Sequence, residues 1–167
     1  WFNNKESVNF TCICGDISEY ATETEFQYYK SNVDTYSPNT PVYTTTGNHD
    51  AQSSLNNDMW FEYTNCERCM SFEYNGDLFV FFGMNAWSLG SGGTPYLEED
   101  IDWLENLLRE NRNKRVFIFT HLFFPDKAGN FNHIYPSGNW LGGTQLTRLN
   151  WLNKTFVNSI WFSGHSH

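Results

Sequence analysis

Basic side chains are scarce in this sequence: its 167 residues hold 10 Lys and Arg against 19 Asp and Glu, a formal net charge of -9. Binding along a nucleic-acid backbone relies on clustered Lys and Arg, so a nucleic-acid partner is not expected. Long apolar runs are missing as well. No stretch approaches the roughly 20 apolar residues that cross a bilayer, and Trp1 to Phe10 has neither the basic start nor the long apolar centre of a leader; the chain carries no membrane segment. There is no internal repeat and no low-complexity linker. Cysteine is limited to four residues. Cys12 and Cys14 fall in a predicted strand, and Cys66 and Cys69 form a C-x-x-C in a predicted loop. A four-thiolate zinc site needs all four to converge, and a Cys66–Cys69 bridge needs an oxidising compartment, which leaves reduced, partly buried thiols as the plainest reading. Asn9-Phe10-Thr11 and Asn153-Lys154-Thr155 match the glycosylation pattern, but Asn9 is expected in a buried strand. Compartment and oligomeric state stay open.

Against these absences stand 40% hydrophobic and 19% aromatic residues, a composition of globular proteins. The length suits one domain, residues 1–167. Along it, apolar runs end repeatedly in polar motifs. Val8 to Cys14 is strand-like and stops at Gly15-Asp16; a polar, weakly periodic helix is expected from Glu19 to Tyr36. Pro41 to Thr46 is strand-like and stops at Gly47-Asn48-His49-Asp50. Met70 to Tyr74 and Leu78 to Met84 flank Asn75-Gly76, a dipeptide suited to the positive φ angles of a type I′ hairpin. Leu97, Ile101, Leu104, Leu107 and Leu108 recur at helical spacing within 97–111, and Glu98-Glu99-Asp100 reads as its negative first turn. Val116 to Thr120 ends at His121, and Ile160 to Ser163 ends at Gly164-His165-Ser166-His167. The segment from Leu122 to Gly143, with Asp126, Phe131, His133, Tyr135 and Trp140, is too long for a simple connection and reads as a binding loop or lid.

Strand–helix alternation around a hairpin indicates an α/β fold with a mixed sheet, two packed β-sheets flanked by helices. Loops beyond the carboxyl ends of strands gather on one rim in such folds, which groups Asp16, Asn48-His49, His121 and His165/His167. Carboxylate and amide oxygens mixed with imidazole nitrogens suit Mn, Fe, Zn or a similar divalent ion. Taken singly, His121 reads as a satisfied core histidine and Asn48 as a turn residue; taken as an ordered set, they read as ligands. Gly47 is expected to be a hinge that turns Asn48 inward, and Gly164 to permit the turn before His165.

Gly15-Asp16, Gly47-Asn48-His49-Asp50, Phe119-Thr120-His121 and Gly164-His165-Ser166-His167 occur in that order, and the set resembles the calcineurin-like metallophosphoesterases, whose motifs are D-x-H, G-D, G-N-H-[DE], an isolated His and G-H-x-H. The resemblance implies that Asp16 bridges two metals, that Asn48, His121 and His165 complete one site, and that His167 serves the other. Two ions about 3.5–4 Å apart would clamp the phosphoryl oxygens and hold a hydroxide for in-line attack on a phosphomonoester or phosphodiester. His49, not a ligand in the family, would stabilise developing charge or protonate the leaving oxygen, a task that suits an imidazole, and Asp50 would orient a neighbour. The D-x-H motif does not occur, so one metal site is incomplete and the sequence is expected to be a partial domain, truncated at both ends. The rival reading that follows is a catalytically inactive remnant serving as a binding or structural module. Glu19 stands where purple acid phosphatases place a metal-binding Tyr, which argues against a ferric-tyrosinate centre; the motifs look closer to small bacterial-type phosphodiesterases and phosphatases.

Overall fold

The computed structural model describes residues 8–52, 54–85, 95–122 and 143–165, without the side chains of 54–57 and 143. Ten elements follow one another: β1 (Thr11–Ile13), α1 (Glu23–Tyr36), β2 (Val42–Thr44), α2 (Ser54–Thr64), β3 (Cys69–Tyr74), β4 (Asp77–Phe82), α3 (Glu98–Glu110), β5 (Val116–Thr120), α4 (Gly143–Thr155) and β6 (Ser159–Ser163). β1 and β2 form a parallel pair, and β3-β4-β5-β6 form a mixed sheet in that order, antiparallel at β3/β4 and parallel at β4/β5 and β5/β6. The expected α/β fold with two sheets flanked by helices is thus present. So is the hairpin, with Asn75 at φ 51° and Gly76 at φ 84°.

Alternation along β4 and β5 decides what each sheet face buries. Leu78, Val80, Phe82, Val116 and Ile118 face Ile101, Leu104 and Leu108 of α3 and Leu149 and Leu152 of α4 in one core. Phe79, Phe81 and Phe119 point the other way, where Phe72 and the β2 residue Tyr43 join them; Tyr43 lies 4.6 Å from Phe72 and 5.7 Å from Phe81, ring to ring. The high aromatic content is therefore largely the layer between the sheets. Beyond the small sheet, Phe26 of α1 and Trp60 of α2, both fully buried, share a second core with Ala21 and Cys66. Arg148 ties α4 to α3 through Asp102 and Glu105 at 2.5 and 2.9 Å. The acidic start of α3 is confirmed, with one addition: Asp100 is buried and ion-paired with Arg68.

Several expected boundaries move. The first helix begins at Glu23, not Glu19, because Thr22 caps it: the Thr22 N–H and hydroxyl donate to Glu25 Oε2 at 2.9 and 2.7 Å, and the Glu25 N–H donates back to Thr22 Oγ1. Asn9, expected in a buried strand, is exposed and precedes β1. All four cysteines are free, and burial pushes Cys12 and Cys69 up to about 12, which fits the reduced reading. Residues 123–142, including the expected loop positions Asp126, Phe131, His133, Tyr135 and Trp140, lie outside the described residues. No described helix is long and apolar enough to cross a membrane.

The cap makes one acid-side prediction. Burial nudges the Glu25 carboxyl up, but donors from Thr22, Tyr20 and Glu19 hold it below its ordinary 4.5. A lowered folded value means stability that is present above the ordinary carboxylate range and lost as pH falls through the folded value. The gap in melting temperature between the native chain and Glu25→Gln should therefore be open at pH 7 and close at pH 3; a gap of constant width would refute this.

Candidate metal centre

The carboxyl ends of β1, β2, β5 and β6 meet at one rim. β1 runs into Cys14-Gly15-Asp16, β2 into Thr45-Thr46-Gly47-Asn48, β5 into His121 and β6 into Gly164-His165. Thr46 pins the sheets together there: its carbonyl accepts from the Met84 N–H at 3.2 Å and its hydroxyl donates to the Met84 carbonyl at 2.5 Å.

Four ligand atoms converge at this rim. His121 Nε2 lies 3.0 Å from Asp16 Oδ2, 2.9 Å from Asn48 Oδ1 and 3.1 Å from His165 Nδ1. Asn48 and His121 are buried. His121 Nδ1 is 2.7 Å from the Cys14 carbonyl, an acceptor only, so Nδ1 carries the ring proton and Nε2 turns a lone pair toward two oxygens that are acceptors themselves. Asp16 Oδ2 is buried and receives no hydrogen bond. Lone pairs crowded in this way repel unless positive charge sits among them. Burial pushes the Asp16 carboxyl up, and the His49 N–H donated to its Oδ1 works against that. Bonds of roughly 2.0–2.2 Å place neighbouring ligands of one ion about 3 Å apart, as these atoms are. The residues present therefore fit a divalent cation. Among the described residues, Asp16, His121 and His165 form the group of acidic, His or Cys side chains whose ligand atoms draw together.

Asp50 locks the two loops that supply Asp16 and Asn48. Fully buried, its Oδ2 accepts from the Asp16 and Gly47 N–H groups at 2.7 and 2.9 Å, and its Oδ1 from the Ser18 N–H and hydroxyl at 3.0 and 2.9 Å. Burial pushes this carboxyl up against the pull of those donors. The glycines act by close approach. A Cβ on Gly47 would lie 2.5 Å from the Asp16 N, and one on Gly164 2.7 Å from the Cys14 carbonyl. This corrects the expected hinge roles: neither has positive φ, and the left-handed residues here are Gly15, Asp16 and His165, at 77°, 56° and 66°. His49 donates its N–H to Asp16 Oδ1 at 2.9 Å, and its Nδ1 lies 2.7 Å from the Glu19 carbonyl, which makes Nδ1 a donor and leaves Nε2 as the other working atom of the ring. Of the sequence-derived ligands, Asp16, Asn48, His121 and His165 are brought together; His167 lies outside the described residues. Cys14 and Ser18 were missed, the first because a carbonyl leaves no trace in side-chain identity.

The profile of the calcineurin-like phosphoesterases matches residues 1–167. The chain belongs to this family. A curated relative, the probable glycerophosphodiester phosphodiesterase GpdQ of Arcobacter nitrofigilis, is 27% identical over 169 residues. That match takes in 99% of this chain and 59% of the relative, so the chain spans a little over half the length of that protein. Membership places this calcineurin-like phosphoesterase in a family of metal-dependent phosphoester hydrolases.

Proposed function

We propose that the protein hydrolyses phosphodiesters, holding a divalent ion such as Mn, Fe or Zn with Asp16, Asn48, His121 and His165 and giving a proton to the leaving oxygen from His49. The observation that carries this reading is the convergence of three ligand atoms on a fourth, His121 Nε2, at 2.9–3.1 Å. When bound, a divalent ion supplies Lewis-acid polarisation of a phosphoryl oxygen and acidifies water. The chain supplies the rest. Cys14 fixes the tautomer of His121, Asp50 fixes the spacing of the Asp16 and Asn48 loops, and the Glu19 carbonyl holds the His49 ring by Nδ1, so that the imidazolium form would give its Nε2 proton to the leaving oxygen. The diester preference rests on the probable activity of the GpdQ relative. A dinuclear centre extends the reading: Asp16 would bridge and His167 would serve the second ion, whose remaining family ligands have no counterpart in this sequence.

Metal analysis of the protein incubated with Mn, Fe or Zn should find about one firmly held ion per chain, and bis-p-nitrophenyl phosphate should be hydrolysed. His165→Ala should weaken retention of that ion at least about tenfold. Inertness and no retained metal with all three ions would refute the proposal.

A further inference from the structure

Positive charge gathers at the rim opposite the metal centre. Of the eight Lys and Arg among the described residues, five lie where α3 and α4 end and β5 begins: Arg109, Arg112, Lys114, Arg115 and Lys154. Three of them have carboxylate partners, Arg109 with Glu105, Lys114 with Glu73 and Arg115 with Asp77. Arg112 and Lys154 are exposed, and among the described residues no carboxylate pairs with either. Glu110, the other acid at this end of α3, stands roughly 100° round the helix from Arg109. Apolar surface joins the cations: Val157, in the turn between α4 and β6, is 89% exposed and Trp151 43%. The patch is contiguous. The Arg112 guanidinium lies 4.9 Å from the centre of the Phe156 ring, the Arg109 guanidinium 5.6 Å from that of Trp151, and the two rings are 6.3 Å apart. Lys154 follows Trp151 by about one turn on the same side of α4. The Asn158 side-chain amide ties the turns after α3 and α4 together by donating to the Asn111 and Lys114 carbonyls at 3.1 and 2.7 Å.

We propose that this patch docks the protein on a bilayer carrying anionic phospholipid, with Val157 and Trp151 entering the headgroup region and Arg112 and Lys154 against the lipid phosphates. Favourable contact with the negative C-terminal end of a helix accounts for Arg109 and Lys154. It does not account for Arg112, in the turn beyond α3, or for an aliphatic and an aromatic side chain left in water beside it. Cations around exposed apolar side chains match a surface that is negative outside and apolar beneath. A soluble polyanion would satisfy the cations and leave Val157 in water. The net charge of -9 does not oppose docking at this end. β5, five residues long, sets the patch roughly 16 Å from the carboxylates of the metal rim at about 3.3 Å per residue, about two Debye lengths at physiological salt. Docked this way, the chain turns its metal rim to the solvent and away from the lipid.

The test is co-sedimentation of the protein with vesicles of phosphatidylcholine alone and of phosphatidylcholine with phosphatidylserine at roughly 30 mol%. Partitioning of the native chain should be at least about tenfold stronger into the anionic vesicles. The double variant Arg112→Gln/Lys154→Gln should lose that preference, because each cation near an anionic surface strengthens binding about fivefold. Val157→Asp should weaken partitioning into the anionic vesicles at least about fivefold, since it removes the inserted side chain and adds a repelled charge. All three positions are exposed, and an unchanged circular dichroism spectrum shows that each variant has folded. Equal partitioning into the two vesicles, or anionic partitioning that either variant leaves at the native level, would overturn the inference. Capture by immobilised poly-glutamate that is as firm in Val157→Asp as in the native chain, with no partitioning into either vesicle, would overturn it as well and assign the patch to an acidic peptide.

Discussion

His49→Ala should slow the hydrolysis of dialkyl phosphodiesters by roughly 10²- to 10⁴-fold, the usual worth of a positioned general acid, and should slow bis-p-nitrophenyl phosphate far less. An alkoxide is a poor leaving group and needs a proton as the bond to phosphorus breaks, whereas nitrophenolate departs without one. The His49 ring is oriented for this by its Nδ1 contact with the Glu19 carbonyl at 2.7 Å, while the backbone of the same residue serves Asp16. Side-chain removal therefore leaves the backbone anchor in place and isolates the proton transfer. The measurement is the dependence of kcat on the acidity of the leaving alcohol: steep in His49→Ala, shallow in the native protein. Equal losses across all leaving groups would assign His49 to charge stabilisation instead.

The second large effect belongs to Asp50. Asp50→Ala strands the Asp16, Gly47 and Ser18 N–H groups at a position with no access to water. Each orphaned buried donor costs about 1–3 kcal/mol, so a loss of at least about 3 kcal/mol of stability is expected by denaturant unfolding. Metal affinity of the folded protein should fall as well, by roughly 10- to 100-fold, because the loops bearing Asp16 and Asn48 lose their common tether. Asp50→Asn keeps the volume but places an amide donor against one pair of N–H groups, and should show the same affinity loss with a smaller stability loss. Unchanged affinity in Asp50→Asn would reduce Asp50 to a structural role.

Much of this was legible in the sequence for a physical reason: buried strands are short apolar runs, and the chemistry sits where those runs stop. The ends of β1, β2, β5 and β6 carried Asp16, Asn48, His121 and His165 in plain sight, and Asn75-Gly76 announced the hairpin. Two helices, α2 and α4, have no counterpart among the sequence expectations, although the spacing of Leu146, Leu149 and Leu152 and that of Leu55, Met59 and Tyr63 is helical. The start of α1 was misplaced because the capping pair Thr22 and Glu25 sits within a polar run whose periodicity is weak. What sequence could not yield are contacts between distant backbones. The carbonyl that orients His121 comes from Cys14, 107 residues away, and the need for glycine at 47 and 164 arises from Asp16 and Cys14 pressing against them, not from any local turn.

The placement of His165 gives the site an unequal grip. Its three companions lie on loops that Asp50, Thr46 and the Cys14 carbonyl hold together, whereas His165 follows β6, where Ile160 and Phe162 are more than 40% exposed among the described residues. An ion held by all four ligands would tie β6 to the loops it faces and, by mass action, suppress local opening there, coupling metal occupancy to the protection of β6 against hydrogen exchange.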